Sequence, residues 1–161
     1  MSSDIQIGSH APDFRLVDSE RNGRELSEFK GKNLILAFFP GAFTATCQRE
    51  LCSFRDRIDR LSDMNVSVVG ISVDSPFANK AFSKYHNLPF PILSDYMRQV
   101  VRKYGIELKD FYGLEGYTAA KRSVFLTDKD GIVRYKWVSD DPDIEPDYDE
   151  VERAAKELFS E

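Results

Sequence analysis

The sequence predicts an α/β fold, a central mixed sheet flanked by helices with an N-terminal β-hairpin extension. Three observations carry that prediction. The apolar runs 34–39 (Leu34-Ile35-Leu36-Ala37-Phe38-Phe39) and 66–73 (Val66-Ser67-Val68-Val69-Gly70-Ile71-Ser72-Val73) are nearly continuous rather than alternating, as expected of strands covered on both faces. Each is followed by a segment whose apolar residues recur at helical spacing. Late in the chain, Ser123-Val124-Phe125-Leu126-Thr127 and 132–138 are rich in β-branched and aromatic residues and flank Asp128-Lys129-Asp130-Gly131, which together read as a hairpin.

In chain order, 14–16 and 24–26 suggest a short hairpin around Asn22-Gly23, a residue pair that tight turns favour. The strand 34–39 ends at Pro40, which has no N–H for further pairing, and Gly41 permits the backbone of a tight loop. A helix spans about 44–63, with Thr44 at the N-cap position and Leu51, Phe54, Ile58 and Leu61 on its apolar face. After the second buried strand, Asp74-Ser75-Pro76 starts another helix, to which Phe77, Ala81, Phe82 and Tyr85 give an apolar face. Pro89-Phe90-Pro91 forces an extended approach to Ile92-Leu93, and a further helix over about 96–104 ends before Gly105. The stretch 112–121 reads as a loop, 140–147 as a solvated acidic loop, and 148–159 as a last helix.

At 161 residues the chain is read as one domain, 1–161, long enough to bury a core without disulfide or metal staples. The net charge is −5, and no Lys/Arg stripe is present to displace counterions from a nucleic-acid backbone, so no nucleic-acid partner is expected. The opening residues 1–6 lack a basic stretch followed by an apolar one, and no segment approaches the length of a membrane span. The default compartment is the cytoplasm, where a cysteine pair is more readily catalytic than structural.

That pair is Cys47 and Cys52, the two cysteines of the chain. Cys47 falls in the first turn of the 44–63 helix, where free N–H groups favour the thiolate. Packing is the alternative, because cysteine is among the most buried residue types. Thr44, Cys47 and Glu50, three residues apart, share one helix face. In an unbroken helix Cys47 and Cys52 have Cα atoms about 8–9 Å apart, whereas a disulfide needs roughly 4.4–6.8 Å. A bond between them therefore requires the first turns to unwind.

Pro40-Gly41-Ala42-Phe43-Thr44-Ala45-Thr46-Cys47 resembles the Pro-x-x-x-Thr-x-x-Cys motif of the peroxiredoxins, thiol peroxidases with a thioredoxin-like fold. Ala11-Pro12-Asp13-Phe14 with Leu16 and Asp18, and Lys121-Arg122-Ser123-Val124-Phe125 with Asp128, Asp130 and Gly131, extend the resemblance over residues 8–160. It implies Cys47 as the peroxidatic thiolate that reduces hydrogen peroxide and organic hydroperoxides. Thr44 and the Cys47 amide would bind the peroxide, and Pro40 would shield the pocket from water. Arg122 would complete the donor set, and its guanidinium cannot lose its charge; a surface arginine at a strand edge is the bland alternative. Glu50 would orient Arg122, or a second basic residue such as Arg49, unless it is a free surface glutamate.

The implied product on Cys47 is a sulfenic acid, with Cys52 the intramolecular candidate to resolve it as a disulfide. The cysteine spacing resembles the atypical two-cysteine, bacterioferritin-comigratory type. The Pro-Gly-Ala-Phe loop resembles subgroups that include one-cysteine enzymes and dimerise through that loop, with Phe43 near the contact. Either a monomer or such a homodimer is expected, recycled by a thioredoxin- or glutaredoxin-like protein, without a cofactor. A general thiol-disulfide oxidoreductase is a competing class, but Thr44 stands where its Cys-x-x-Cys would need the first cysteine. A peroxide sensor or chaperone-like binder could use the same switch by exposing Leu51 and Phe54. His10 and His86 sit in no Cys-His motif, His86 being read instead as favouring the C-terminal dipole of the helix before it. Two cysteines and two dispersed histidines make a poor zinc set, and the 140–147 carboxylates lack the fixed spacing of a calcium loop.

Overall fold

The computed structural model describes residues 5–161; residues 1–4, part of the stretch read above as lacking a leader, lie outside the described residues. Its main sheet has seven strands in the order β2-β1-β5-β4-β3-β8-β9. These are β1 (Arg15–Val17), β2 (Gly23–Glu25), β3 (Asn33–Phe38), β4 (Val66–Ser72), β5 (Ile92–Ser94), β8 (Ser123–Thr127) and β9 (Val133–Val138). β3, β4 and β5 run parallel, while β1, β2, β8 and β9 make antiparallel pairings, so the sheet is mixed as expected. The helices are α1 (Ala45–Asp63), α2 (Pro76–Tyr85), α3 (Gln99–Lys103) and α4 (Tyr148–Phe159).

Strand alternation divides the apolar side chains between two cores. Leu34, Leu36 and Phe38 join Val69, Ile71, Leu93, Val100, Val101 and Tyr104 on the α3 side. Ile35, Ala37 and Phe39 join Leu51, Phe54, Val68, Phe82, Ile92 and Val151 on the side of α1, α2 and α4. Both registers of β3 are thus buried, which is why its sequence is apolar without interruption. Gly70 allows the closest approach in the second core: a Cβ there would lie 2.6 Å from Ile92 Cδ1 and 3.2 Å from Leu51 Cδ1.

Four expectations need correction. In the first hairpin Asn22-Gly23 is not the corner: Val17 pairs with Gly23, and the chain turns through 18–22, where Asp18 Oδ1 accepts the amides of Glu20 and Asn22. The 96–104 helix shrinks to α3, because Arg98 adopts a left-handed conformation (φ 59°) and the buried Asp95 carboxylate accepts the amides of Val100 and Val101 at 3.2 and 2.8 Å. The 112–121 loop contains structure. A short 3₁₀ turn occupies Phe111–Gly113, and β7 (Ala119–Ala120) pairs with β6 (Glu107–Leu108) in a small second sheet. His86 caps the C-terminus of α2, but burial and then the nearby Arg55 hold its imidazole below the usual range, against the charged form that the helix dipole would favour.

Among the described residues no helix is long and apolar enough to cross a membrane, and no cluster of three or more His, Cys, Asp or Glu side chains is arranged to hold a metal.

Candidate active site

β3 runs in the middle of the sheet, and the chain leaves its carboxyl end at Pro40-Gly41 to enter α1, the position at which open α/β sheets form their sites. Pro40 and Gly41 are buried, and Phe43 takes a left-handed φ of 63° to turn the chain into the helix. The loop is pinned by the Ala42 amide, which donates to Asp74 Oδ2 at 2.8 Å. Asp74 was read only as part of a helix start. Ser75 is the actual N-cap of α2, accepting from the Ala78 amide, and this leaves the Asp74 carboxylate for the loop.

Cys47 is the third residue of α1. The first intrahelical bond runs from the Gln48 amide to the Thr44 carbonyl, so the amides of Ala45, Thr46 and Cys47 precede the ladder. The Gly41 amide points at Cys47 Sγ from 3.5 Å. Thr44 is at the N-cap position as expected, but its hydroxyl does not cap; it donates to the Gly41 carbonyl at 2.7 Å, inside the loop. To donate to the thiolate or to a substrate, that hydroxyl must swing its proton away from the Gly41 carbonyl.

Arg122, immediately before β8, is 1% exposed, and Glu50 is completely buried. The surface alternatives for both residues therefore fail. Arg122 Nη1 donates to Glu50 Oε1 at 2.7 Å, and Nη2 donates to the Pro142 carbonyl at 2.7 Å. The 140–147 segment is thus not a merely solvated loop, because its Pro142 carbonyl holds the buried guanidinium. At this site the buried Glu50 Oε2 and Arg122 Nε have no hydrogen-bond partner among the described residues. A carboxyl oxygen and a charged N–H therefore lie close to the thiol, to which the guanidinium also hydrogen-bonds.

The electrostatics follow from burial. Desolvation pushes the Glu50 carboxyl up to about 7, although Arg122 works against it. Burial likewise pushes the Cys47 thiol up; Arg122 opposes this most strongly, Glu50 adds to the upward push, and Thr44 and Gly41 pull it down. The thiolate preference expected of a helix start therefore meets a dry site with 0% exposure, in which Arg122 is the main compensation.

Both cysteines are free thiols. Cys52 is half-buried on the same unbroken helix, one turn and a half along, so the structure does not bring it to Cys47. Arg49 turns away from Glu50, to Thr46 Oγ1 and Glu145 Oε2, both at 3.0 Å, and so is not the second partner considered for Glu50. Phe43 is 51% exposed and meets Phe82 and Tyr85 edge-on. Sequence reasoning missed Asp74, the Gly41 amide and the Pro142 carbonyl. Only Asp74 had a signal, as an acidic residue beside a better cap.

Comparison with known proteins places these features in context. The AhpC/TSA family matches residues 7–136. A putative peroxiredoxin bcp from Coxiella burnetii is 39% identical over 83% of this chain and 88% of its own length. Peroxiredoxin Bcp from Bacillus subtilis is 35% identical over 83% of this chain and 85% of its own. Among solved structures, peroxidoxin BcpB from Mycobacterium tuberculosis superposes with a TM-score of 0.83 at 28% identity, covering 96% of this chain and 98% of that one.

Proposed function

The chain belongs to the AhpC/TSA family and is a thiol peroxidase of the peroxiredoxin type, and from that premise we propose that Cys47 is its peroxidatic residue. The observation that carries the proposal is the buried Arg122–Glu50 pair beside a fully buried thiol, with Arg122 Nε unpaired. A charged donor is kept dry at that position because negative charge develops there.

In the proposed reaction the Cys47 thiolate attacks one peroxide oxygen. The S–O bond forms as the O–O bond breaks, and the departing oxygen takes up a proton to leave as water or an alcohol. Arg122 Nε, the Cys47 amide and the Thr44 hydroxyl are the candidate donors to the two oxygens, and Pro40 excludes water at the loop. Glu50 fixes the guanidinium in place through its 2.7 Å bond. The Cys47 sulfenic acid is then attacked by the Cys52 thiol, closing a disulfide and releasing water. A thioredoxin- or glutaredoxin-like dithiol supplies the two electrons that restore both cysteines. The reducing cytoplasm suits that cycle, and Phe43 gives the loop face an apolar contact for a homodimer, with a monomer as the alternative.

The test is a Cys47→Ser variant, which should lose peroxide consumption altogether; retained turnover would overturn the assignment. Mass spectrometry after one equivalent of peroxide should find a Cys47–Cys52 bond. Persistent sulfenic or sulfinic Cys47 without that bond would instead mean a one-cysteine cycle.

A further inference from the structure

Resolution by Cys52, the reading on which this inference rests, requires the start of α1 to leave its helical geometry. The two halves of α1 are held differently. From Phe54 onward the helix is tied to α4: Phe54 meets the Tyr148 ring edge-on at 5.5 Å, Arg57 bonds Asp149 and Glu152 at 2.8 and 3.1 Å, and Arg60 bonds Glu152 at 3.0 Å. The half that carries both cysteines is held by the fully buried Leu51 and by a hydrogen bond between Ser53 and Tyr148, but among the described residues no ion pair joins it to α4. Its inner tie, Glu50 to Arg122, lies in the reacting pocket and is almost completely buried.

Its outer tie is a bridge across the rim. Arg49 donates to Thr46 Oγ1 and Glu145 Oε2, and Glu145 Oε1 accepts the Tyr148 hydroxyl at 2.7 Å. This chain of contacts begins at Thr46, one residue before Cys47, and ends through the Tyr148 ring at Phe54, two residues beyond Cys52. It brackets the segment that must open. Burial works against ionisation of Glu145, but Tyr148 and Arg49 hold its carboxyl below the usual range, so the bridge is charged at neutral pH. Arg49 and Glu145 remain 55% and 30% exposed. They can therefore separate into water without stranding a buried charge.

We propose that Arg49 and Glu145 are the positioning pair of the resolving step, a clamp whose release lowers the cost of unwinding residues 45–53, with Glu50 leaving Arg122 as they open, while 54–63 stays docked on α4. Once they unwind, the Cys52 thiol reaches the Cys47 sulfenic sulfur. An S–S bond forms, the S–O bond breaks, and hydroxide leaves with the thiol proton as water. The competing fate is attack by a second peroxide to give sulfinate. The clamp therefore biases the partition between disulfide and irreversible oxidation.

Hydrogen exchange on the reduced protein tests the clamp without peroxide. In Arg49→Met and Glu145→Gln, amides of 48–53 should exchange about 2- to 5-fold faster, the range an exposed ion pair supports, while those of 57–63 keep their rates. A peroxide pulse should then show the disulfide forming faster by the same factor, and less sulfinate at excess peroxide. Unchanged exchange at 48–53, or equal acceleration along all of α1, overturns the proposal. A wild-type disulfide whose rate ignores both variants overturns the clamp alone. A wild-type protein whose exchange responds but which forms no disulfide overturns the role in resolution together with the two-cysteine reading.

Discussion

Replacing Arg122 with Met keeps much of the side-chain volume and removes the charge facing Glu50. In the wild type Glu50 has its pKa raised from 4.5 to about 7, so the folded state holds a proton that the unfolded chain has released, and stability falls as pH rises between those values. The fall ends near 7, where the folded carboxyl ionises against Arg122, 2.7 Å away. In the variant nothing compensates a buried carboxylate, the carboxyl stays neutral, and the fall continues. The extra loss grows once the pH passes the wild-type pKa of about 7, from close to zero at pH 5.5 to on the order of 1 kcal/mol at pH 8. To it is added a pH-independent cost of about 1–3 kcal/mol for the lost bonds to Glu50 and the Pro142 carbonyl. Urea unfolding at pH 5.5 and pH 8 reads both parts. The pH-dependent part should vanish in an Arg122→Met/Glu50→Gln double variant. An equal destabilisation at the two pH values, or a difference that survives in the double variant, would refute the reasoning.

Glu50→Gln alone removes the charge that pushes the Cys47 thiol up, so the alkylation rate of Cys47 should rise at lower pH than in the wild type; an unchanged or upward-shifted profile, followed by mass spectrometry, contradicts the electrostatic account. Gly70→Ala places a methyl 2.6 Å from Ile92 Cδ1 and 3.4 Å from Phe39 Cε1 in the core beneath α1. It should cost about 1–3 kcal/mol, measured as a lower Tm, and wild-type stability would show that the sheet and α1 can move apart there.

The comparison of sequence and structure divides along the range of the interactions involved. The buried strands were legible because β3 and β4 sit in the middle of the sheet, and no position in either register could be polar without cost. The long helices were legible because α1 repeats Leu51, Phe54 and Leu61 on one buried face. Two-residue strands such as β6 and β7 have no periodicity to read, and α3 was overextended because the left-handed turn at Arg98 depends on Asp95 being buried beneath it.

By itself, the sequence determined that Cys47 opens a helix at the end of a buried strand, with Thr44 and Glu50 on its face. Those are local consequences of residue order and helical period. Only the tertiary structure decided that Glu50 and Arg122, 72 residues apart, meet in the dry interior, that the Pro142 carbonyl completes the guanidinium's surroundings, and that Asp74 holds the loop. The reason is desolvation. The ionisation of Cys47 and Glu50 depends on how much water the whole fold removes and which distant charge replaces it, and neither quantity is a property of neighbouring residues.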